Sequence, residues 1–195
     1  YNAIGDYANA MEYFTTSNIL SRESNDLVKV INIENGMGNL YLGNEEYKQA
    51  LIHYNEAYEL AQSINDISLI AVSNVSLGYA FTSLGDHDSA IVYYQKAIKI
   101  FHTVENEFLH ATTYTNMAIS LLAMDRDNEA LMLGKKGLSL MLKLENEYGI
   151  ASTHEILGEI YFKKTMYRQA LKEYEHARNV FIESKAFNNL QKVYK

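Results

Sequence analysis

The sequence predicts an all-α fold: a right-handed superhelix of stacked antiparallel helix pairs. Three observations point there. Small residues recur every 40 positions, at Ala10, Ala50, Ala90, Ala130 and Ala170, each followed by an apolar residue. A second series, Gly38, Gly78, Ala118 and Gly158, runs twelve positions ahead of the last four alanines. The chain has no proline and 10 glycines in 195 residues, so little interrupts a helix. A fixed period of this length marks an array in which each unit presents the same seam to its neighbour.

The elements follow in order. Residues 6–22 carry only the alanine series and predict a lone second-type helix. Helix pairs are expected at 27–43 and 46–62, 67–84 and 87–103, 107–123 and 127–143, and 147–163 and 167–183. The first helix of each pair carries apolar–small–x–x–aromatic, as in Leu77-Gly78 and Phe81. The second carries Ala–apolar–x–x–aromatic–x–x–Ala, as in Ala90, Tyr94 and Ala97. Both spacings place these residues on one helical face. Glycine inside a helix costs roughly 1 kcal/mol against alanine, so its recurrence predicts close helix approach. Asp26, Asp66, Asn106 and Asn146 repeat in register and suit the N-caps of the first helices. Asn44, Gly85-Asp86, Asp125 and Thr165 mark the turns inside the pairs. A further helix is expected to begin near 187. With half a repeat at 1–22 and the start of another at 187–195, the chain reads as one elongated domain cut mid-repeat at both ends. Its uncapped apolar ends predict end-to-end self-association.

The pattern resembles the tetratricopeptide repeat in a long-helix form of about 40 residues per unit. Besides Leu77-Gly78, Phe81, Ala90, Tyr94 and Ala97, the matching sets are Met37-Gly38, Tyr41, Ala50, Tyr54, Ala57 and Leu157-Gly158, Tyr161, Ala170, Tyr174, Ala177. Tyr47 and Tyr167 fit the family's aromatic three before the alanine, whereas His87 and Asp127 do not. The family's early tryptophan and its proline after the second helix are missing. The third unit departs most, with Gly134 and Gly137 in place of aromatic and alanine, and with Met132 and Met141 nearby. Two readings of that unit stand: drifted packing that methionine fills, or a deformable pair acting as a hinge.

The resemblance implies binding of a protein or peptide in a groove lined mainly by first helices. It places Asn32, Asn35, Asn39, Val75, Tyr79, Thr82, Asn116, Ile119, Glu155 and Glu159 in or near that groove. Asparagine can both donate to and accept from a peptide backbone, and Tyr79 offers a ring with a polar tip. The family's carboxylate clamp for chaperone tails needs basic groove residues. Asn39 fits that clamp, but Val72, Thr112 and Asn116 stand where bases or their partners are expected. A basic or polar peptide is therefore favoured over an acidic tail.

Composition and motifs narrow the rest. Net charge is −7 with no basic stripe, which argues against nucleic acid. No apolar run approaches the ~20 residues of a membrane span, so no membrane contact by this segment is expected. A cysteine-free chain has no disulfide or thiolate site and is stable in cytoplasm and periplasm alike. His154-Glu155 opens like a zinc-protease helix, but Gly158 occupies the second histidine's place. Gly134-Lys135-Lys136-Gly137 lacks the lead and the hydroxyl of a phosphate loop. His53, His87, His102, His110 and His176 show no metal spacing and read as surface or capping residues. No catalytic residue, metal or cofactor is expected. The resemblance implies the sensory or interaction part of a multidomain bacterial signalling protein, since such arrays often precede a diguanylate cyclase, a histidine kinase or a DNA-binding module. Other readings are a quorum-peptide receptor similar to the bacillus aspartate-phosphatase regulators, whose N-terminal glutamine-bearing bundle is not in this chain, and a stand-alone assembly scaffold.

Overall fold

The computed structural model describes residues 3–183, with side chains from 7 to 182. These residues form nine α-helices and no strand: α1 Ala3–Glu23, α2 Leu27–Gly43, α3 Tyr47–Ser63, α4 Ile67–Leu84, α5 His87–Phe101, α6 Glu107–Ala123, α7 Asp127–Lys143, α8 Glu147–Lys163 and α9 Tyr167–Glu183. The helix expected near 187 lies outside the described residues. The sequence predicts one continuous array. The chain divides into two compact units between Val104 and Glu105, the first holding α1–α5 and the second α6–α9.

That division coincides with the one turn built differently. At the other seven turns a left-handed residue stands at a strict spacing of 20: Asn25, Glu45, Asn65, Gly85, then Asp125, Glu145 and Thr165. The next N–H reaches back five residues, as Asp66 to Ala61 O (3.1 Å) and Arg126 to Leu121 O (2.9 Å), closing the helix end in a Schellman-type turn. Glu105 holds the corresponding register but has no positive φ. There α5 stops at Phe101, two residues before the expected 103, and Thr103 and Val104 N–H both bond to Ile100 O (2.8 and 2.9 Å). The helix starts follow the sequence: Asp26, Asp66, Asn106 and Asn146 accept from the N–H groups of Lys29, Leu69, Leu109 and Gly149.

The seam alanines are buried, Ala50, Ala90 and Ala130 completely and Ala170 almost so. The glycines make room for rings. A Cβ on Gly78 would lie 2.5 Å from a ring carbon of Tyr94, and Gly38 and Gly158 meet the rings of Tyr54 and Tyr174 in the same way. The third pair reverses the arrangement: where the second helix has Gly134 instead of tyrosine, the first has Ala118 instead of glycine. Packing there is not slack. A Cβ on Gly134 would come within 2.9 Å of Leu157 Cδ2, and one on Gly137 within 2.6 Å of Thr115 Oγ1 and 3.2 Å of the Ala111 carbonyl. Met141 is buried, but Met132 is 52% exposed and fills nothing.

Gly78→Val is expected to cost about 1–3 kcal/mol by overpacking. Denaturant unfolding checks it, and an unchanged midpoint would contradict the close approach.

One helix departs from the hydropathy reading. Over its 18 residues α4 has a mean hydropathy of 1.4, long and apolar enough by composition to cross a membrane. It packs against both α3 and α5 within the first unit.

Candidate functional site

In the first unit the buried hydroxyls of the seam tyrosines lie against predicted groove residues. Tyr54 OH donates to Asn39 Oδ1 at 2.6 Å. With its carbonyl oxygen engaged, the exposed Asn39 amide offers its N–H donors. One repeat on, Tyr94 OH lies 3.1 Å from Thr82 Oγ1, which also donates to Gly78 O at 2.9 Å. Burial pushes the Tyr54 and Tyr94 hydroxyls far above the ordinary phenol range, and nearby Tyr79 adds to the effect in both. They therefore stay protonated as donors. Tyr79 itself is 42% exposed. Asn39, Tyr79 and Thr82 thus gather around two buried phenols. Sequence reading took those phenols for packing rings only. The available signal was that Tyr54, Tyr94 and Tyr174 all carry a hydroxyl a packing ring does not need.

The other first-unit candidates lie elsewhere. Asn35 and Val75 are buried rather than presented; Asn35 Nδ2 is turned back to Ile31 O at 3.0 Å. Asn32 borders a separate depression between α1 and α2, beside Tyr13, Phe14 and Leu20. In the second unit Glu155 is half-buried and Glu159 exposed. Burial raises the Tyr174 hydroxyl, and both carboxylates push it up further, which brings Glu155, Glu159 and Tyr174 into one electrostatic group. Asn116 borders a small cleft with Phe108, Tyr148 and Ser152. Ile119 is half-buried.

His53 corrects an expectation: it is neither exposed nor capping, and His154 is likewise not exposed. His53 Nδ1 lies 2.7 Å from Glu34 Oε2, and His154 Nδ1 lies 2.6 Å from Glu173 Oε2. These are the same two register positions, 34/154 on first helices and 53/173 on second helices, with acid and imidazole exchanged. Comparing the repeats column by column would have revealed the exchange. Glu34 is almost completely buried and also receives Asn18 Nδ2 and Arg22 Nη2 (3.0 Å for the arginine), so it ties α1 to α2 and α3. Burial alone would raise its pKa, but the bonds from His53, Asn18 and Arg22 outweigh that and hold the carboxyl below its ordinary range. Among the described residues no group of three or more histidines and carboxylates is placed to hold a metal ion.

A family model for the tetratricopeptide repeat matches residues 29–102 and 69–143, more than half the chain. The chain belongs to the tetratricopeptide repeat family. No curated protein resembles it closely enough to count as a match. Solved tetratricopeptide-like structures superpose well. BtubC (BKLC) from P. vanneervenii has a TM-score of 0.77 at 21% identity, covering 100% of this chain and 84% of its own. A STAND signal-transduction ATPase with a tetratricopeptide sensor, from Pyrococcus horikoshii, gives 0.72 at 13%, covering 84% of this chain and 26% of its own. The Rap conjugation gene regulator of plasmid pLS20, in complex with the Phr* peptide, gives 0.70 at 20%, covering 89% of this chain and 50% of its own. At these identities the likeness shows the fold alone. Tetratricopeptide repeats are typically protein-interaction scaffolds, and the fold supports a protein-binding repeat region in this chain.

Proposed function

We propose that the first-helix faces of this array capture an extended polypeptide segment, and that the chain serves as the sensory or interaction part of a multidomain bacterial signalling protein. The observation that carries the first statement is the Tyr54–Asn39 hydrogen bond, which holds an exposed amide ready at a phenol that Tyr79 also approaches. Pre-positioned side chains lose less entropy on binding than mobile ones. An extended backbone supplies the acceptors such an amide needs. The carboxylates Glu155 and Glu159 favour a basic or polar segment in the second unit. The tetratricopeptide sensor of the STAND ATPase supports the signalling context, with a cyclase, kinase or transcription regulator as the attached output. The second reading, a quorum-peptide receptor, draws on the Phr*-bound regulator. A stand-alone scaffold remains the third.

The test is binding to an immobilised peptide library. Asn39→Ala with Tyr79→Ala is expected to weaken capture about tenfold or more, from ~0.5–1.5 kcal/mol per lost hydrogen bond plus ring contact, with helicity unchanged. Basic peptides should lose affinity as salt is raised. Unaltered capture by the double variant would remove these residues from the site.

A further inference from the structure

The cleft bordered by Asn116 in the second unit is lined by two residues that depart from the repeat. Where earlier first helices carry Lys29, Leu69 and Leu109, α8 has Gly149; where other second helices carry Ala61, Phe101 and Phe181, α7 has Met141. A Cβ on Gly149 would press directly on Met141 Sδ and lie 2.9 Å from Asn146 Oδ1, so the methionine already occupies the missing side chain's place. Above it opens a cleft of about 140 Å³.

Its chemistry is apolar despite three threonines. Thr153 Oγ1 donates to Gly149 O at 2.7 Å, Thr115 Oγ1 to Ala111 O at 3.2 Å, and Thr112 Oγ1 to Phe108 O at 2.9 Å. Thr115 and Thr153 Oγ1 also lie 3.3 Å apart across α6 and α8, so the three hydroxyls are engaged within the protein and the lining is largely apolar. A polar group buried there without a partner would cost about 1–3 kcal/mol. The volume is below the ~300–1,000 Å³ of small-molecule sites and suits one aliphatic side chain. The mouth is flanked by the exposed rings of Phe108 (46%) and Tyr148 (62%). Glu155 and Glu159 follow Ser152 by three and seven residues on one face of α8. At ~1.5 Å per helical residue they lie about 4.5 and 10.5 Å further along, which an extended chain covers in about one to three residues.

We infer that this cleft seats one aliphatic side chain of an extended polypeptide carrying basic residues one to three positions away. The inference rests on the proposal that first-helix faces bind polypeptide, and it adds the anchor and its charge context. The carboxylates supply complementary charge, and the cleft supplies the socket.

The chain labelled with ¹³C at its methionine methyls tests it, with Met141 assigned by loss of its signal in Met141→Leu. The probe is an acetylated serine octapeptide bearing one leucine, with lysines one and three residues beyond it. A saturable shift of the Met141 methyl is expected. It should vanish when serine replaces the leucine and weaken at least tenfold when glutamates replace the lysines. Ser152→Phe, a rim change that leaves the packed seam alone, should abolish the shift without lowering the unfolding midpoint. No Met141 shift with the leucine probe overturns the inference. If Asn39→Ala with Tyr79→Ala still weakens library capture in that case, the groove proposal survives it. A Met141 shift with an unaltered double variant separates the two the other way. A shift that grows with protein concentration alone means a second copy fills the cleft, and also overturns the inference.

Discussion

Tyr94→Ala is expected to destabilise the first unit by about 3–5 kcal/mol, the range for deleting a fully buried aromatic side chain. The ring has no exposed surface. It lies over Gly78, and its hydroxyl meets Thr82. Removing it leaves a cavity whose walls, two seam helices held by alanines, cannot close without losing their register. The effect should rank with burial across the repeats: Tyr54→Ala comparable, Tyr174→Ala smaller, because Tyr174 is only half-buried. Urea unfolding monitored by circular dichroism measures all three. A cost below that of Tyr174→Ala would mean that the Tyr94 ring is not a keystone.

Glu34 is the second residue whose replacement should be felt strongly. It is nearly without solvent contact and accepts from Asn18, Arg22 and His53. Glu34→Gln keeps the shape and removes the charge. Breaking a buried ion pair typically costs about 3–5 kcal/mol because a partner is left uncompensated. Arg22 is 45% exposed and keeps Glu56, so about 3 kcal/mol is expected at neutral pH. The sign of the pH dependence follows from the depressed carboxyl. An unfolded glutamate titrates near ~4.3, and the folded one lower. The stability it contributes is complete above the unfolded value and is lost as pH falls through the folded one. The gap between the parent and Glu34→Gln should therefore close on acidification below about pH 4.3. A gap of constant size from neutral to acid pH would show that the charge contributes nothing.

Much of the fold was legible because packing demands repeat. Ala50, Ala90 and Ala130 occupy one register and are all buried, and the caps at Asp26, Asp66, Asn106 and Asn146 each make the expected bond. The third pair misled because glycines at 134 and 137 look like losses when read along one helix. Set beside Ala118, Gly134 is one half of a reciprocal change. The division at Val104 was hidden because the anomaly at Glu105 is conformational and no residue type announces it. The site was less legible than the fold. Asn39, Tyr79 and Thr82 could be placed on a face, but whether a face residue points outward depends on fractions of a turn, and Asn35 and Val75 fell on the buried side. The Glu34–His53 pair was missed because residues 19 apart on different helices share no local pattern.

The seam glycines Gly38, Gly78 and Gly158 each receive a second-helix ring. A double-mutant cycle between Gly78→Val and Tyr94→Ala measures this packing directly. If the ring is what the valine collides with, the valine should partly fill the hole left by Tyr94→Ala. The two changes together should then cost at least 1 kcal/mol less than the sum of each alone. Costs that add within about 0.5 kcal/mol would contradict the account.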